Sequence, residues 1–291
     1  MKYSKLIAIA AAMTLSVACG KKSTSLKIAG SDTMVQLGQN LVKAYMTANP
    51  GTSASVQGGG SGTGIAALLN NSTDIASASR EMKPKELDQA KAKGIDVKEY
   101  IIALDALAVV VHPTNKVSKL TIAQLSDIYA GKISNWKQVG GADQEILVIS
   151  RENNSGTHVY FKEHVLRQGK EAKKGEANPD PLAVMEFGSK VTYGVSSQAI
   201  SDQVKSNPAA IGYFGMGWIT KDVKPLEISK DGKQFFAPTA DNTSNKKYPI
   251  ARGLQMYVNG NAGEKAQKFI DFVMSPAGQK VVKEQDFVPV K

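Results

Sequence analysis

The chain has 291 residues, a formal net charge of +10 and an ordinary globular composition, which excludes a fibrous or disordered chain and leaves room for one large domain or two lobes. The lysines are scattered (Lys83, Lys85, Lys91, Lys93, Lys98) and not interleaved with aromatics, so the positive balance does not describe a nucleic-acid stripe. A single cysteine, Cys19, excludes a disulfide framework.

Lys2 and Lys5 precede an apolar run from Leu6 to Ala18. A charged start, a short apolar stretch and a small-residue exit read as an export signal, residues 1–18, and the run is too short to span a bilayer. Without Lys2 and Lys5 the charge falls from +10 to +8. Cys19 reads as the lipid-bearing first residue of the mature chain, with 19–25 a linker to the membrane. Ser16 stands where such sites usually carry Leu, and the other reading is an incidental thiol behind an A-x-A-like cleavage site.

SLKIAG (25–30) is a β-rich run ending in Gly. The following stretch places Met34, Leu37, Leu41 and Tyr45 on one helical face and stops at Asn49-Pro50-Gly51. SASVQGGG predicts a strand, SGTGIAALLNN a helix, and TDIASASRE a third short strand. KPKELDQAKAKG predicts a polar helix closed by Gly94, and VKEYIIALDALAVVVHP a long buried strand. After Pro113, Thr121 and Gln124 have capping-box spacing. EILVISRE then predicts a strand, SGTHVYFKEHVLRQG a helix and AAIGYFGMGW another buried strand. IARGLQMYVNG returns as a strand, and GEKAQKFIDFVMSPAGQKVVKE makes two closing helices. Alternating strand and helix argue for a parallel α/β sheet. A strand, a Gly/Ser/Thr turn and a helix recur once in each half, with the chain crossing near 104–113 and returning near 248–256.

Three turns share one form: GSDT (30–33), GSGTG (60–64) and NSGT (154–157). Each combines Gly, for close backbone approach, with a hydroxyl at a helix start, where free N–H groups and a partial positive charge favour anions. In any one turn alone, N-capping is the better account of the Ser or Thr; three such turns beside two strand-end arginines shift the balance toward binding. Arg80 and Arg151 each end a strand beside such turns, and a guanidinium suits a tetrahedral oxyanion because it donates two parallel N–H bonds. Arg167 and Arg252 are read as structural. No Lys completes a P-loop, so each turn is read as half of a site.

Enzyme chemistry finds little support. His112, His158 and His164 lack zinc-helix spacing, and no G-x-S-x-G elbow gives Ser155 a base. His158 is read as a solvated helical residue, and Trp136 and Trp218 as core anchors. Asp32, Asp74 and Glu152 are the acids nearest the turns and are the three alternatives for accepting a ligand's proton.

IAGSDT (28–33), GGGSGTGI (58–65), DIASASR (74–80), LSDIYAGKISNW (125–136), RENNSGT (151–157), AIGYFG (210–215) and FIDFVMSPAGQKVV (269–282) together resemble the phosphate-binding proteins of bacterial ABC-type phosphate importers, of the shorter kind. The resemblance implies an α/β, two-lobed periplasmic-binding-protein fold of type II. Each lobe would be a mixed or parallel sheet flanked by helices, joined by a two-strand hinge. Residues 26–108 plus 254–291 would form the first lobe and 109–253 the second. It implies a non-enzymatic monomer without cofactor or metal, capturing inorganic phosphate for a membrane permease. The place would be the periplasm or the outer face of the envelope, through a lipid at Cys19. Thr33, the backbone at Met34, and Ser61 would hold phosphate from one lobe; Arg151, Ser155, Gly156 and Thr157 would hold it from the other. Ser31 and Arg80 join them from their turns. Ser79 and Asn153 stand where better-known members carry aspartates that accept the phosphate proton. The alternatives are another tetrahedral oxyanion (sulfate, molybdate or an organic phosphate), a secreted phosphatase, or an adhesin or sensor on the same fold.

Overall fold

A computed structural model describes residues 25–173, 175–261 and 263–291; the expected signal segment and Cys19 lie outside the described residues. In chain order the strands are β1 (Leu26–Gly30), β2 (Ala54–Gln57), β3 (Ile75–Ala78), β4 (Val97–Val111), β5 (Lys119–Thr121), β6 (Leu147–Arg151), β7 (Thr192–Gly194), β8 (Ala210–Gly215), β9 (Lys224–Pro225), β10 (Glu227–Ser229) and β11 (Ala251–Asn259). The α-helices are α1 (Val35–Ala48), α2 (Ser61–Leu69), α3 (Pro84–Ala92), α4 (Ile122–Tyr129), α5 (Gly156–Phe161), α6 (Ser197–Ser206), α7 (Ala240–Ser244), α8 (Glu264–Val273) and α9 (Pro276–Glu284).

Local signals account for the helices. Leu37, Leu41 and Tyr45 of α1 share one buried face, at the helical repeat the sequence shows. Pro84 opens α3 at a position where its missing N–H costs nothing. The Glu86 carboxylate accepts the Lys83 N–H at 2.8 Å. In α4 the capping box is complete: Thr121 Oγ1 accepts from the Gln124 N–H at 3.1 Å, and Gln124 Oε1 accepts from the Thr121 N–H at 2.9 Å. The helix expected after Ser155 is shorter than its sequence suggests. It passes at Lys162 into a π-turn that runs to Leu166.

The main sheet has the order β2-β1-β3-β11-β4-β8-β6-β7, with β9 also on β4; β5 and β10 pair apart from it. Its outer parts are parallel, β1 with β2 and β3, and β6 with β7 and β8. The centre is not. β11 runs antiparallel to β3 and β4, and β4 antiparallel to β8. The sheet is therefore mixed, because the two long strands that cross the molecule travel in opposite directions. β4 changes partner midway: Val97–Ala106 pair with β11, and Leu107–Val111 with β8. One unbroken strand thus belongs to both halves of the sheet. The Leu107 N–H donates to Ile250 O at 2.8 Å and Tyr248 Oη to Leu107 O at 2.9 Å, which fixes the returning chain beside the same point.

The closing helices pack on α1, where the Tyr45 ring meets Phe269 edge-on at 5.2 Å. In the other half Phe161 stacks on Tyr213 at 3.9 Å, with Tyr129 against both. Trp136 is buried, its Nε1 donating to Ala209 O at 2.9 Å. No helix among the described residues is long and apolar enough to cross a membrane.

His158 departs from the expected solvated helical position. It is 4% exposed, lies against Phe187 at 4.6 Å, and its Nδ1 is 3.3 Å from Ser150 Oγ. Only a short helix precedes the π-turn, and it sets His158 against the Phe187 and Tyr193 rings. Burial lowers the imidazole pKa to about 4, below its usual value of about 6.5. The fold holds His158 neutral, and the unfolded chain takes up the proton first as pH falls. Its contribution is thus present above about pH 6.5 and is lost on descent toward pH 4. Urea unfolding at pH 7 and pH 4.5 checks this. His158→Gln is expected to lose roughly 2 kcal/mol less stability across that interval than the parent chain.

Candidate functional site

The first half brings three hydroxyl-bearing turns to the carboxyl ends of its strands. β1 ends at Gly30 and leads into a 3₁₀ turn, Asp32–Met34, which presents Ser31 and Thr33. β2 leads through Gly58–Gly60 to Ser61 at the start of α2. β3 ends beside Ser79, whose N–H donates to Ser61 Oγ at 3.0 Å. From the second half, β6 leads to Ser155, Gly156 and Thr157 at the start of α5.

These turns meet. Thr33 Oγ1 lies 2.9 Å from Thr157 Oγ1, and Ser79 Oγ lies 3.4 Å from Thr157 Oγ1 and from Ser61 Oγ. Ser31 Oγ donates to Ser79 Oγ at 3.0 Å. All five hydroxyl residues are buried. Gly60 (φ 92°) permits the contact: a Cβ there would stand 2.7 Å from Asn154 O. A Cβ on Gly156 would stand 2.3 Å from Ser61 Oγ and 2.8 Å from Ser79 Oγ. Ser, Gly and Thr recur because nothing larger fits between the halves.

The expected residues divide into two groups. Ser31, Thr33, Ser61, Ser79, Gly156 and Thr157 converge on one cluster. Met34 lies buried beneath it, its N–H already donating to Ser31 O at 3.1 Å. Ser155 Oγ accepts from the His158 N–H at 3.4 Å as an N-cap. Arg151 is buried: its Nη2 donates to Asp32 Oδ2 at 2.6 Å, and its other bonds go to Gly194 O, Ser197 Oγ and Val195 O. Arg80 is committed elsewhere. Its two terminal nitrogens grip Glu86 at 2.8 and 2.7 Å, and Nη1 also donates to Glu81 O. Burial acts to raise Glu86, but Arg80 and Lys83 together hold it below the usual carboxylate range. Of the three acids near the turns, Asp32 borders the cluster. Asp74 pairs with Lys265 and the Lys27 N–H, and Glu152 is exposed.

The cation at the cluster is Arg252, expected to be structural. Its Nη2 donates to Thr157 Oγ1 at 3.0 Å and its Nη1 to Ser79 O at 3.0 Å. Asp105 holds it from behind, Oδ2 accepting at 3.0 Å from Nε and 2.9 Å from Nη2. Asp105 is fully buried, and its Oδ1 accepts from the Met216 N–H at 2.9 Å. Burial pushes its carboxyl above the usual range, against the pull of Arg252. Trp218, expected in the core, is half-buried here, its Nε1 donating to Thr33 O at 3.0 Å. The signal for Arg252 was one acid in the apolar run LDALAVVV and one arginine in the apolar run IARGLQ. Opposite charges in two buried strands must find each other.

The cluster offers rotatable hydroxyl donors, two helix N-termini and a cation whose charge is already partnered. That set suits an anion rich in oxygen acceptors and supplies no nucleophile–base pair. The profile of the PBP superfamily domain matches residues 17–277. The phosphate-binding protein PstS of Bacillus subtilis is 30% identical over all of this chain and 95% of its own length, and that of Borreliella burgdorferi is 30% identical over 91% and 90%. Among solved structures, a putative phosphate ABC transporter substrate-binding protein from Clostridium perfringens, with bound phosphate, superposes with a TM-score of 0.79. It is 32% identical, over 92% of this chain and all of its own. An ABC-type phosphate transport receptor from Vibrio cholerae gives 0.69 at 30% identity, over 91% and 99%. The chain therefore belongs to the PBP superfamily and, within it, to the family of the PstS phosphate-binding proteins.

Proposed function

We propose that the protein captures inorganic phosphate between its two halves and delivers it to the permease of an ABC-type phosphate importer. It is a substrate-binding protein and not an enzyme. The observation that carries the reading is the buried meeting of Thr33, Ser61 and Ser79 with Thr157, backed by Arg252. Burying a dianion is costly unless its oxygens are hydrogen-bonded throughout, and this cluster concentrates donors from both halves.

Capture works by parting and closing the halves. For one oxyanion to accept from both Thr33 and Thr157, their oxygens must stand about 4–5 Å apart, wider than the 2.9 Å between them here. The ligand thus enters with the halves separated, and β4 and β11 serve as the hinge between a first lobe (26–108 plus 254–291) and a second (109–253). Arg252 supplies the cation at the centre, whereas Arg80 is held away by Glu86 and Arg151 is paired with Asp32. A monomer tethered through a lipid on Cys19 at the outer face of the envelope would present this cleft to incoming phosphate.

A second reading is favoured by one observation. Both carboxylates beside the cluster are occupied, Asp105 by Arg252 and Asp32 by Arg151 and the Gly59 N–H. Rejection of unprotonated sulfate would then rest on hydroxyl oxygens acting as acceptors, so sulfate, molybdate or an organic phosphate stands as the alternative ligand.

Titration calorimetry with phosphate tests the site through Thr157→Val and Ser79→Ala, which remove a hydroxyl and little volume. Each is expected to weaken binding about 10- to 100-fold, the worth of a hydrogen bond to a charged group. Wild-type affinity in both variants overturns the assignment, and displacement of phosphate by equimolar sulfate favours the second reading. Gly156→Ala is expected to abolish tight binding while the chain stays folded, because its Cβ holds the two turns apart.

A further inference from the structure

Asp32 and Arg151 belong to opposite halves, one in the turn after β1 and the other at the end of β6. Asp32 Oδ2 lies 2.6 Å from Arg151 Nη2, with side-chain exposures of 12% and 2%. Among the described residues, Asp32 is the acid within ion-pair range of Arg151. Its second oxygen accepts the Gly59 N–H at 2.9 Å. Asn154 completes the contact: its Nδ2 donates to Gly59 O at 2.9 Å, and its carbonyl accepts from the Gly62 N–H at 3.0 Å. The glycine turn of one half and the arginine turn of the other are thus fastened by a part-buried ion pair, one side-chain-to-backbone hydrogen bond and one backbone-to-backbone hydrogen bond.

Donor arithmetic decides whether this pair competes with a bound anion. A guanidinium has five N–H donors. Four of Arg151's go to Gly194 O, Ser197 Oγ, Asp32 Oδ2 and Val195 O. One N–H on Nη1 remains, so Arg151 can keep Asp32 and still donate to a ligand. Removing the carboxylate would instead leave a 2%-exposed cation without a counter-charge, a state relieved by moving Arg151 into water. In this molecule that movement is parting of the halves.

We propose that Asp32 is a positioning residue that acts through Arg151, drawing the halves together and setting how fast a captured anion is released. The closure part stands on the ion pair alone; the release part rests on the phosphate reading above.

Hydrogen exchange read by mass spectrometry, in phosphate-free buffer, tests closure in the full chain. Asp32→Asn is expected to speed exchange of segment 58–62 about tenfold or more, with β3 and β8 unchanged. Phosphate release followed by stopped flow is expected to accelerate by a similar factor, and Asp32→Glu to recover part of both. Wild-type exchange at 58–62, or slower release and tighter binding, in Asp32→Asn overturns the proposal, the latter because the carboxylate would then be a competitor. Should Asp32→Asn not fold, Asp32→Glu carries the test, since its displaced carboxylate must raise both rates above wild type. If the parent chain binds no phosphate, the functional reading fails while the exchange result still judges the latch.

Discussion

Arg252 and Asp105 form an ion pair with almost no access to water, 2.9 Å apart and at 2% and 0% side-chain exposure. It lies where β4 passes from one half of the sheet to the other. Such a pair is poor evidence for stability in itself, since desolvation offsets much of its attraction, but losing either partner is strongly destabilising. What it secures here is placement. Arg252 also donates to Ser79 O after β3 and to Thr157 at the start of α5, while Asp105 accepts the Met216 N–H after β8. One buried pair thus ties the two crossing strands to elements of both halves. Asp105 also offsets the charge on Arg252. On the proposed function, an anion beside this neutralised arginine would be held mostly through dipoles and hydroxyls, which favours capture that can be reversed.

The legible part of this protein was local. Apolar spacing marked α1, the Thr121–Gln124 box marked α4, and the repeated Ser-Gly-Thr turns marked the two faces that meet. What escaped depended on long-range register. Arg80 and Arg252 look alike in sequence, yet one is taken by Glu86, six residues away, and the other by Asp105, 147 residues away. Only the antiparallel pairing of β11 with β4, Arg252 opposite Asp105, makes the second contact available. The antiparallel centre within the expected mixed or parallel sheet has the same cause, because alternating strands and helices say nothing about the direction of a strand that returns from far along the chain. The burial of His158 is not legible locally, because it depends on where α5 gives way to the π-turn and on the Phe187 ring.

Hydroxyls rather than lysine at the meeting of the halves suit the proposed function, in which the site would have to be satisfied in two arrangements. A lysine ammonium has three donors and no acceptor, so between two closing turns it demands an anion or leaves buried donors unpaired. A hydroxyl can donate or accept and rotates freely. Ser31, Ser61, Ser79, Thr33 and Thr157 bond to one another here, and each can turn its hydrogen toward an oxyanion when one is present. Among the described residues the buried side-chain polar atom without a partner is Arg80 Nε, outside the cluster. Every hydroxyl of the cluster therefore has a partner within the protein. On the proposed function, that property would let two incomplete glycine turns close on each other and open again without leaving a buried polar group unpaired.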